Sequence, residues 1–148
     1  MRGNKADIRK LKTEARGKDT DLSLNNLYPM PEELGKIKSP SNKSKKALVK
    51  KYGADHWFYW RLNNWGTKWD VTAELTDETD ESLLYDFCTA WSPPIPWLNK
   101  VAMDYPELSF RLKYDEPGMG FAGVTVAEKG EVKNRYSRIR TPDRGDDD

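Results

Sequence analysis

The fold is decided by a stretch near the end of the chain, LSFRLKYDEPGMGFAGVTVAEKGEVKNRY, which covers residues 108–136. Its first part alternates apolar and polar residues from Leu108 to Tyr114, which is the period of a half-buried β-strand. Proline and glycine then interrupt two further strand-like runs. The predicted strands cover 108–114, 121–127 and 131–136, with turns at 117–120 and 129–130. We therefore predict an antiparallel three-stranded meander.

Working upstream from this meander, the pattern predicts two more strands and a helix. Apolar residues alternate over 69–75 and again over 83–91, with an acidic turn at 76–80 between the two runs. Prolines open a helix over 93–104, because proline is tolerated in a first helical turn. A strand pair, a helix and a meander predict a ferredoxin-like α+β fold, a split β-α-β antiparallel sheet with helices on one face.

The first half of the chain reads as helical. Asn4 is a suitable cap for a helix over 5–15, whose apolar residues recur at spacings of three and four. We predict an inserted helical segment at about 29–66, with short helices after Pro31, over 44–52 and from Asp55 to Asn63. Residues 1–136 then form one domain. The charged end, 137–148, lacks apolar periodicity and is expected to be disordered.

The composition restricts the possible chemistry. The 148 residues include one cysteine, Cys88, and one histidine, His56, so the chain has neither an internal disulfide nor a zinc ligand set. His56 and Cys88 could act as a catalytic base and nucleophile only if the fold brought their side chains together. The simpler interpretation of Cys88 is a structural thiol. We expect no catalytic residues, no metal site and no cofactor, and a cytoplasmic location without membrane contact.

Several short segments together resemble a known family. They are PMPEEL at 29–34, YGAD at 52–55, WR at 60–61, NWGTKWD at 64–70, FCTAWSPP at 87–94, YP at 105–106 and YDE at 114–116. In this order they resemble the YubB-type ferredoxin-like domain family of bacteriophages and conjugative plasmids, over roughly residues 3–128. The resemblance implies a ferredoxin-like fold and a mobile-element origin, and it implies no established activity.

The resemblance also implies a first strand that this sequence lacks. Family members begin with a short strand before the first helix, whereas this chain starts with Met1-Arg2-Gly3. The first strand of a ferredoxin-like sheet is central, so its absence leaves main-chain groups unpaired. Three explanations stay open: a start codon assigned late, a replacement strand at 22–24, or a strand from a partner chain. The last would make a dimer.

A run of lysines is the strongest feature of composition. Residues 36–51 contain seven lysines and no acid, and three of them recur on one helix face. A balancing stretch, 70–86, contains seven acids and no base, and the net charge is only +1. Such runs are usually solvated faces, but phosphate contact is the alternative. The candidate nucleic-acid residues are Lys43, Lys45, Lys46, Lys50 and Lys51.

Six tryptophans are many for a chain of this size. We expect Trp69, Trp91 and Trp97 in the core, whereas Trp57 and Trp65 flank turns and are candidates for exposed anchors, since Trp and Arg are common in interface hot spots. The predicted binding residues are Trp57, Trp60, Arg61, Trp65, Lys68 and Asp70.

These features favour binding over catalysis. The first hypothesis is a non-enzymatic accessory protein of a phage or plasmid that binds a host or element-encoded macromolecule. The second is a nucleic-acid-binding protein that uses the lysine run. The third is a metal-dependent nuclease built on abundant carboxylates, for which Asp70, Asp86, Asp115 and Glu116 are candidates without selective spacing.

Overall fold

A computed structural model describes residues 1–36, 46–90 and 92–138. Within these ranges the chain forms six α-helices and five β-strands. The helices are α1 Lys5–Ala15, α2 Leu24–Leu27, α3 Glu32–Gly35, α4 Lys46–Tyr52, α5 Trp57–Asn64 and α6 Ile95–Asp104. The strands are β1 Glu74–Thr79, β2 Ser82–Asp86, β3 Phe110–Glu116, β4 Phe121–Glu128 and β5 Glu131–Arg138. The α+β prediction is confirmed.

The predicted meander is present. β3 pairs with β4 from Phe110 opposite Ala127 to Glu116 opposite Phe121, and β4 pairs with β5 along its whole length, both antiparallel. The turns contain Gly120 and Gly130 at φ angles of 73° and 78°, in the region that glycine occupies without steric cost. β5 continues to Arg138, beyond the predicted end of this strand at 136, and the rest of the predicted tail, 139–148, lies outside the described part of the chain.

The strand predicted at 69–75 lies further along the chain in the structure. β1 begins only at Glu74 and includes acids assigned to a turn, because residues 70–73 bond to the 20–25 segment instead. The main-chain N–H of Ala73 donates to the Thr20 hydroxyl at 2.7 Å, and its carbonyl accepts from Asp21 N–H at 3.0 Å. Glu78 on β1 forms a salt bridge with Lys12 on α1, in which Lys12 Nζ lies 2.5 Å from Glu78 Oε2.

The second strand is shorter than predicted. β2 ends at Asp86, since the main chain of Ala90 bonds to the Thr67 side chain rather than to a neighbouring strand. Trp91 lies outside the described residues, so its expected place in the core is untested. Cys88 follows β2 and is exposed, which corrects the expectation of a packed structural thiol.

Two helices cover the core. α1 is capped as predicted, with the Asn4 side chain accepting from Asp7 N–H, and it buries Ile8, Leu11 and Ala15. α6 starts at Ile95, after Pro93 and Pro94 and with Pro96 in its first turn, and it packs against β4 and β5. Its buried residues are Trp97, Leu98, Val101 and Ala102.

The strands form two sheets instead of one. One contains β1 and β2, the other has the order β3-β4-β5, and Arg2 forms antiparallel bridges to Ser82 and to Ser109 between them. Residues 1–3 therefore occupy part of the central position expected for a first strand. The replacement proposed at 22–24 is wrong, because Leu22 is buried in the core and α2 begins at Leu24.

Candidate binding surface

Helix α5 places the aromatic side chains of the candidate site. It begins after His56, whose Nδ1 accepts a hydrogen bond from the Phe58 N–H at 3.3 Å, so His56 rather than Asp55 is the cap. It ends where Trp65 and Gly66 both donate to the Arg61 carbonyl, at 2.7 and 3.0 Å. Gly66 has a φ of 82°, which turns the chain into residues 67–70 beside the helix.

This turn brings Trp69 against Trp57. The two rings stack with centroids 5.4 Å apart and planes 27° apart, although twelve positions separate them in the sequence. Trp69 is 51% exposed, so the expectation that it lies in the core is wrong. Trp57 is half-buried. Tryptophan is usually well buried, so a stacked pair with one exposed member is a candidate for recognition.

Two cations lie on the rings of this pair. The Lys68 Nζ is 4.8 Å from the Trp69 ring centroid and 5.5 Å from that of Phe58. The Arg61 guanidinium lies 4.9 Å from the Trp57 centroid, and its Nη1 donates to the Lys68 carbonyl at 3.4 Å. We call these five residues, Trp57, Phe58, Arg61, Lys68 and Trp69, the aromatic–cation surface.

Arg61 is half-buried. Desolvation lowers the pKa of its guanidinium, and Asp70 partly opposes this effect. Its Nε is buried and has no hydrogen-bond partner in the described part of the chain. An arginine side chain stays protonated in proteins, so the surface keeps a positive charge whose hydrogen-bonding capacity is only partly used.

Further exposed apolar residues on α5 extend the site. Tyr59 is 49% exposed and its ring lies 5.4 Å from that of Phe58, and Leu62 is 38% exposed. α5 therefore presents Tyr59 and Leu62 to solvent, and its buried contact is Trp60.

The other predicted tryptophans lie inside the protein. Trp65 is 0% exposed, which corrects the expectation of an exposed anchor, and its indole N–H donates to the Tyr28 carbonyl at 2.9 Å. Trp60 is buried and packs edge-on against Tyr28 at 5.3 Å and Trp65 at 5.8 Å. We call Tyr28, Trp60 and Trp65 the buried aromatic cluster.

The Asp70 carboxylate forms hydrogen bonds within the protein. Its carboxylate accepts from the Ser23 hydroxyl and Leu24 N–H at 2.7 Å each, and from Asn25 N–H at 3.2 Å. It therefore satisfies the free donors at the start of α2, a role that local sequence did not indicate because 46 residues separate the partners.

Comparison with known families adds one result. A family model described as a ferredoxin-like domain in Api92-like protein matches residues 64–141. The chain belongs to this family. The match confirms the predicted ferredoxin-like fold. Neither a comparison with curated proteins nor one with solved structures found a match.

The family match divides the candidate site. It includes Lys68 and Trp69 and begins at the last residue of α5, so Trp57, Phe58 and Arg61 precede it. The aromatic–cation surface thus joins the matched ferredoxin-like domain to the helical segment before it.

The lysine run is described only in part. Lys46, Lys50 and Lys51 lie on α4 and are exposed, whereas Lys43 and Lys45 fall outside the described residues. Lys51 lies 3.9 Å from Glu33 and 5.0 Å from the Tyr52 ring centroid. A hydrogen bond with Tyr52, together with Glu33, raises the pKa of Lys51.

Other site types have no support in the described ranges. No group of three or more His, Cys, Asp or Glu side chains there is arranged to hold a metal ion. No helix in those ranges is long and apolar enough to cross a membrane. Among the candidate nuclease acids, Asp86, Asp115 and Glu116 line a cleft between β2 and β3, and Asp70 caps α2.

Proposed function

We propose that this protein is a non-enzymatic binding protein that recognises a partner protein through the aromatic–cation surface. The observation that carries the proposal is the stacked Trp57–Trp69 pair, with Trp69 51% exposed and a cation on each ring. Keeping such a pair in water forgoes the burial energy that a large aromatic ring supplies in a core. A partner that covers the pair gains that energy.

The composition of the surface suits a protein partner. Trp, Tyr and Arg are the residues most enriched in interface hot spots, and α5 with its following turn supplies all three. Arg61 and Lys68 add charges that favour an acidic rim on the partner.

A nucleic acid suits this surface less well. Stacking a base requires a free ring face, but Trp57 and Trp69 already stack on each other. Arg61 and Lys68 occupy further ring area. A protein side chain does not require a free ring face and can pack against the exposed part of Trp69.

The proposal includes the biological origin of the protein and the compartment in which it acts. The YubB-type motifs support an accessory role in a bacteriophage or conjugative plasmid, with a host or element-encoded protein as the partner. The lone thiol, Cys88, fits a reducing cytoplasm, in which we place the complex.

The test compares captures from a bacterial lysate by three immobilised forms. These are the unmodified protein, Trp69→Ala, and Met103→Ala, a matched removal of another exposed apolar side chain that is 69% exposed. We expect one partner to be retained by the first and third forms and lost by Trp69→Ala. Equal retention of the partner by the unmodified protein and by Trp69→Ala would contradict the proposal.

A nucleic-acid function for α4 is the second candidate. Lys46 and Lys50 are exposed and have no ion-pair partner within the described residues. If they contact phosphates, affinity for short DNA or RNA must fall steeply with salt, because released counterions drive such binding. The double variant Lys46→Gln/Lys50→Gln should then bind weakly, unlike Lys10→Gln on α1. No binding at low salt would eliminate this candidate.

A further inference from the structure

The strands of the two sheets share one pair of faces. Arg2 pairs with Ser82 on β2 and with Ser109, the residue before β3, and it is antiparallel to both. β2 and β3 therefore run in the same direction, and the three residues lie in one row. Because directly paired residues point to the same face, Ser82 and Ser109 identify the same face of both sheets. We call it the outer face.

The helices cover the opposite face. Leu83 and Phe110 each come one residue after this row, so they point away from the outer face, and both are buried. Glu78, the partner of Leu83 on β1, forms its salt bridge with Lys12 on α1. α6 packs against β4 and β5. The outer face thus lies on the side of the strands away from the core.

The outer face of β1 and β2 is acidic. Leu84, the next outward residue after Ser82, is 57% exposed and pairs with Asp77, and Asp86 pairs with Glu74. The three acids are exposed, and none forms an ion pair within the described residues. Residues 74–86 include no base. We call Glu74, Asp77, Leu84 and Asp86 the acidic half.

The outer face of β3, β4 and β5 has basic and apolar residues at its centre. In the row level with Leu84, Val126 lies between Arg111 and Lys133, and in the next row Val124 pairs with Lys113. The three cations are exposed and form no ion pair within the described part of the chain. The acids of these strands lie outside the two rows, at the ends of the face: Asp115, Glu128 and Glu131. We call Arg111, Lys113, Val124, Val126 and Lys133 the basic half.

β4 carries apolar residues on its outer side as well as on its inner side. A strand of an antiparallel sheet with one face in water normally has polar residues on that face. Val124 and Val126 point outwards instead and are half-buried, since the stems of long cationic neighbours can cover apolar surface. Leu84 is the exposed apolar residue of the acidic half. This pattern favours burial of the outer face against another layer.

We infer that the outer face packs against the outer face of a second copy of this chain, with the acidic half of each copy opposite the basic half of the other. Packed sheets lie about 10 Å apart with their strands roughly aligned. A two-fold axis between the copies and parallel to the strands exchanges the halves and keeps the rows level. An axis across the strands would place acid opposite acid.

This orientation places complementary residues opposite each other. Leu84 of one copy lies over Val124 and Val126 of the second copy, and Asp86 is level with Lys113. Each contact occurs twice by symmetry. Neither copy gives a strand to the other, and the contact uses neither tryptophan of the aromatic–cation surface. The inference therefore does not depend on the proposed function.

A second copy suits the whole outer face better than a nucleic acid does. Phosphates would be attracted to the basic half and repelled by the acidic half beside it. Only a surface with the reverse order of charges satisfies both halves at once. A second copy turned about the axis described above supplies that order.

Sedimentation velocity of the purified full chain over a range of concentrations tests the inference. We expect a dimer, and Lys113→Glu and Asp86→Lys should each weaken it at least ten-fold by placing like charges opposite each other. An equimolar mixture of the two variants should recover the dimer. In that mixture the glutamate that replaces Lys113 faces the lysine that replaces Asp86, and the other pair is unchanged.

A second pair of variants tests the apolar contact. Leu84→Ser should weaken the dimer at least ten-fold, because the contact occurs twice. Met103→Ser changes a residue on α6 that is 69% exposed, and it should leave the dimer unchanged. Circular dichroism checks that each variant folds. If either charge variant fails to fold, the comparison of Leu84→Ser with Met103→Ser decides.

Three results would overturn the inference. The first is a protein that stays monomeric at about 1 mM. The second is a dimer that neither charge reversal weakens, which would place the contact elsewhere. The third is a dimer that both reversals weaken and that the mixture does not recover, which would show that Asp86 and Lys113 do not face each other. Because no other protein is present, failure here leaves the proposed function untouched.

Discussion

Trp65 and Trp69 lie four residues apart and belong to different regions of the molecule. Each has a cation near its ring, Arg61 at 5.1 Å and Lys68 at 4.8 Å. Trp65 is fully buried in the buried aromatic cluster and its indole N–H has an acceptor, whereas Trp69 is 51% exposed on the aromatic–cation surface. The residue type and a nearby cation therefore do not distinguish the buried Trp65 from Trp69, for which we propose a role in recognition; the exposed fraction of the side chain does.

The largest expected effect lies in the buried aromatic cluster. Trp65→Ala should lower the free energy of unfolding by about 3–5 kcal/mol, because it leaves a cavity and an unpaired Tyr28 carbonyl. Urea unfolding followed by circular dichroism measures this loss. The control is Trp69→Ala, which should cost about 1 kcal/mol. Equal losses in the two variants would remove the distinction between the regions.

A smaller effect is expected at Asp70, which joins the turn after α5 to α2. Asp70→Ala should lower the free energy of unfolding by about 2 kcal/mol, since it removes the charged acceptor of Ser23, Leu24 and Asn25. Thermal unfolding is the measurement, with Asp104→Ala as a control for loss of an exposed carboxylate. A stable Asp70→Ala variant with weakened partner binding would instead assign Asp70 to recognition.

Tyr85 is half-buried at the edge of the core, where it lines the cleft between β2 and β3. Its hydroxyl is buried without a partner in the described part of the chain, so Tyr85→Phe should raise the free energy of unfolding by about 1 kcal/mol at neutral pH. Denaturant unfolding of both forms measures the difference. A loss of stability in Tyr85→Phe would show that the hydroxyl has a favourable contact.

The same residue predicts a dependence on pH. Burial, with help from Asp21 and Glu78, raises the pKa of Tyr85 to about 12. A pKa raised in the folded state gives stability that is complete below the unfolded value of about 10 and is lost as pH rises through the folded value. The unmodified protein should therefore lose stability between about pH 10 and 12 more steeply than Tyr85→Phe. Tyr105, whose pKa burial also raises, is common to both forms and cancels.

The smallest effect on stability is expected at Lys68. Lys68→Gln removes a cation from the Trp69 and Phe58 rings and should cost about 0.5 kcal/mol, because the site is close to solvent. Affinity for the partner should nevertheless fall by about ten-fold, and its salt dependence should weaken. Isothermal titration at two salt concentrations checks both, with Lys100→Gln on α6 as the control.

The sequence predicted most where contacts are local. The meander followed from alternation between Leu108 and Tyr114, and α1 from a cap three residues from its donor. β1 was misplaced because Ala73 bonds to Thr20 and Asp21, partners more than fifty positions away that no local pattern reveals. The resemblance implied a central first strand, and the structure shows Arg2 bridging Ser82 and Ser109 in that region.

The candidate site was predicted in outline rather than in detail. The segment 57–70 was chosen for its tryptophans and the NWGTKWD motif, and it does contain the surface. The exchange of roles between Trp65 and Trp69 was not foreseeable, because the turn at Gly66 directs one ring inward and the other outward. Phe58 was missed, although its place one residue after Trp57 on the same helix was a usable signal.

The most direct test of the account is the affinity of the captured partner for Trp69→Ala, measured together with the unfolding free energy of that variant. We predict at least a ten-fold loss of affinity in a protein destabilised by no more than about 1.5 kcal/mol. Unchanged affinity in the folded variant would contradict this prediction, and would show that the Trp57–Trp69 pair is not the binding surface.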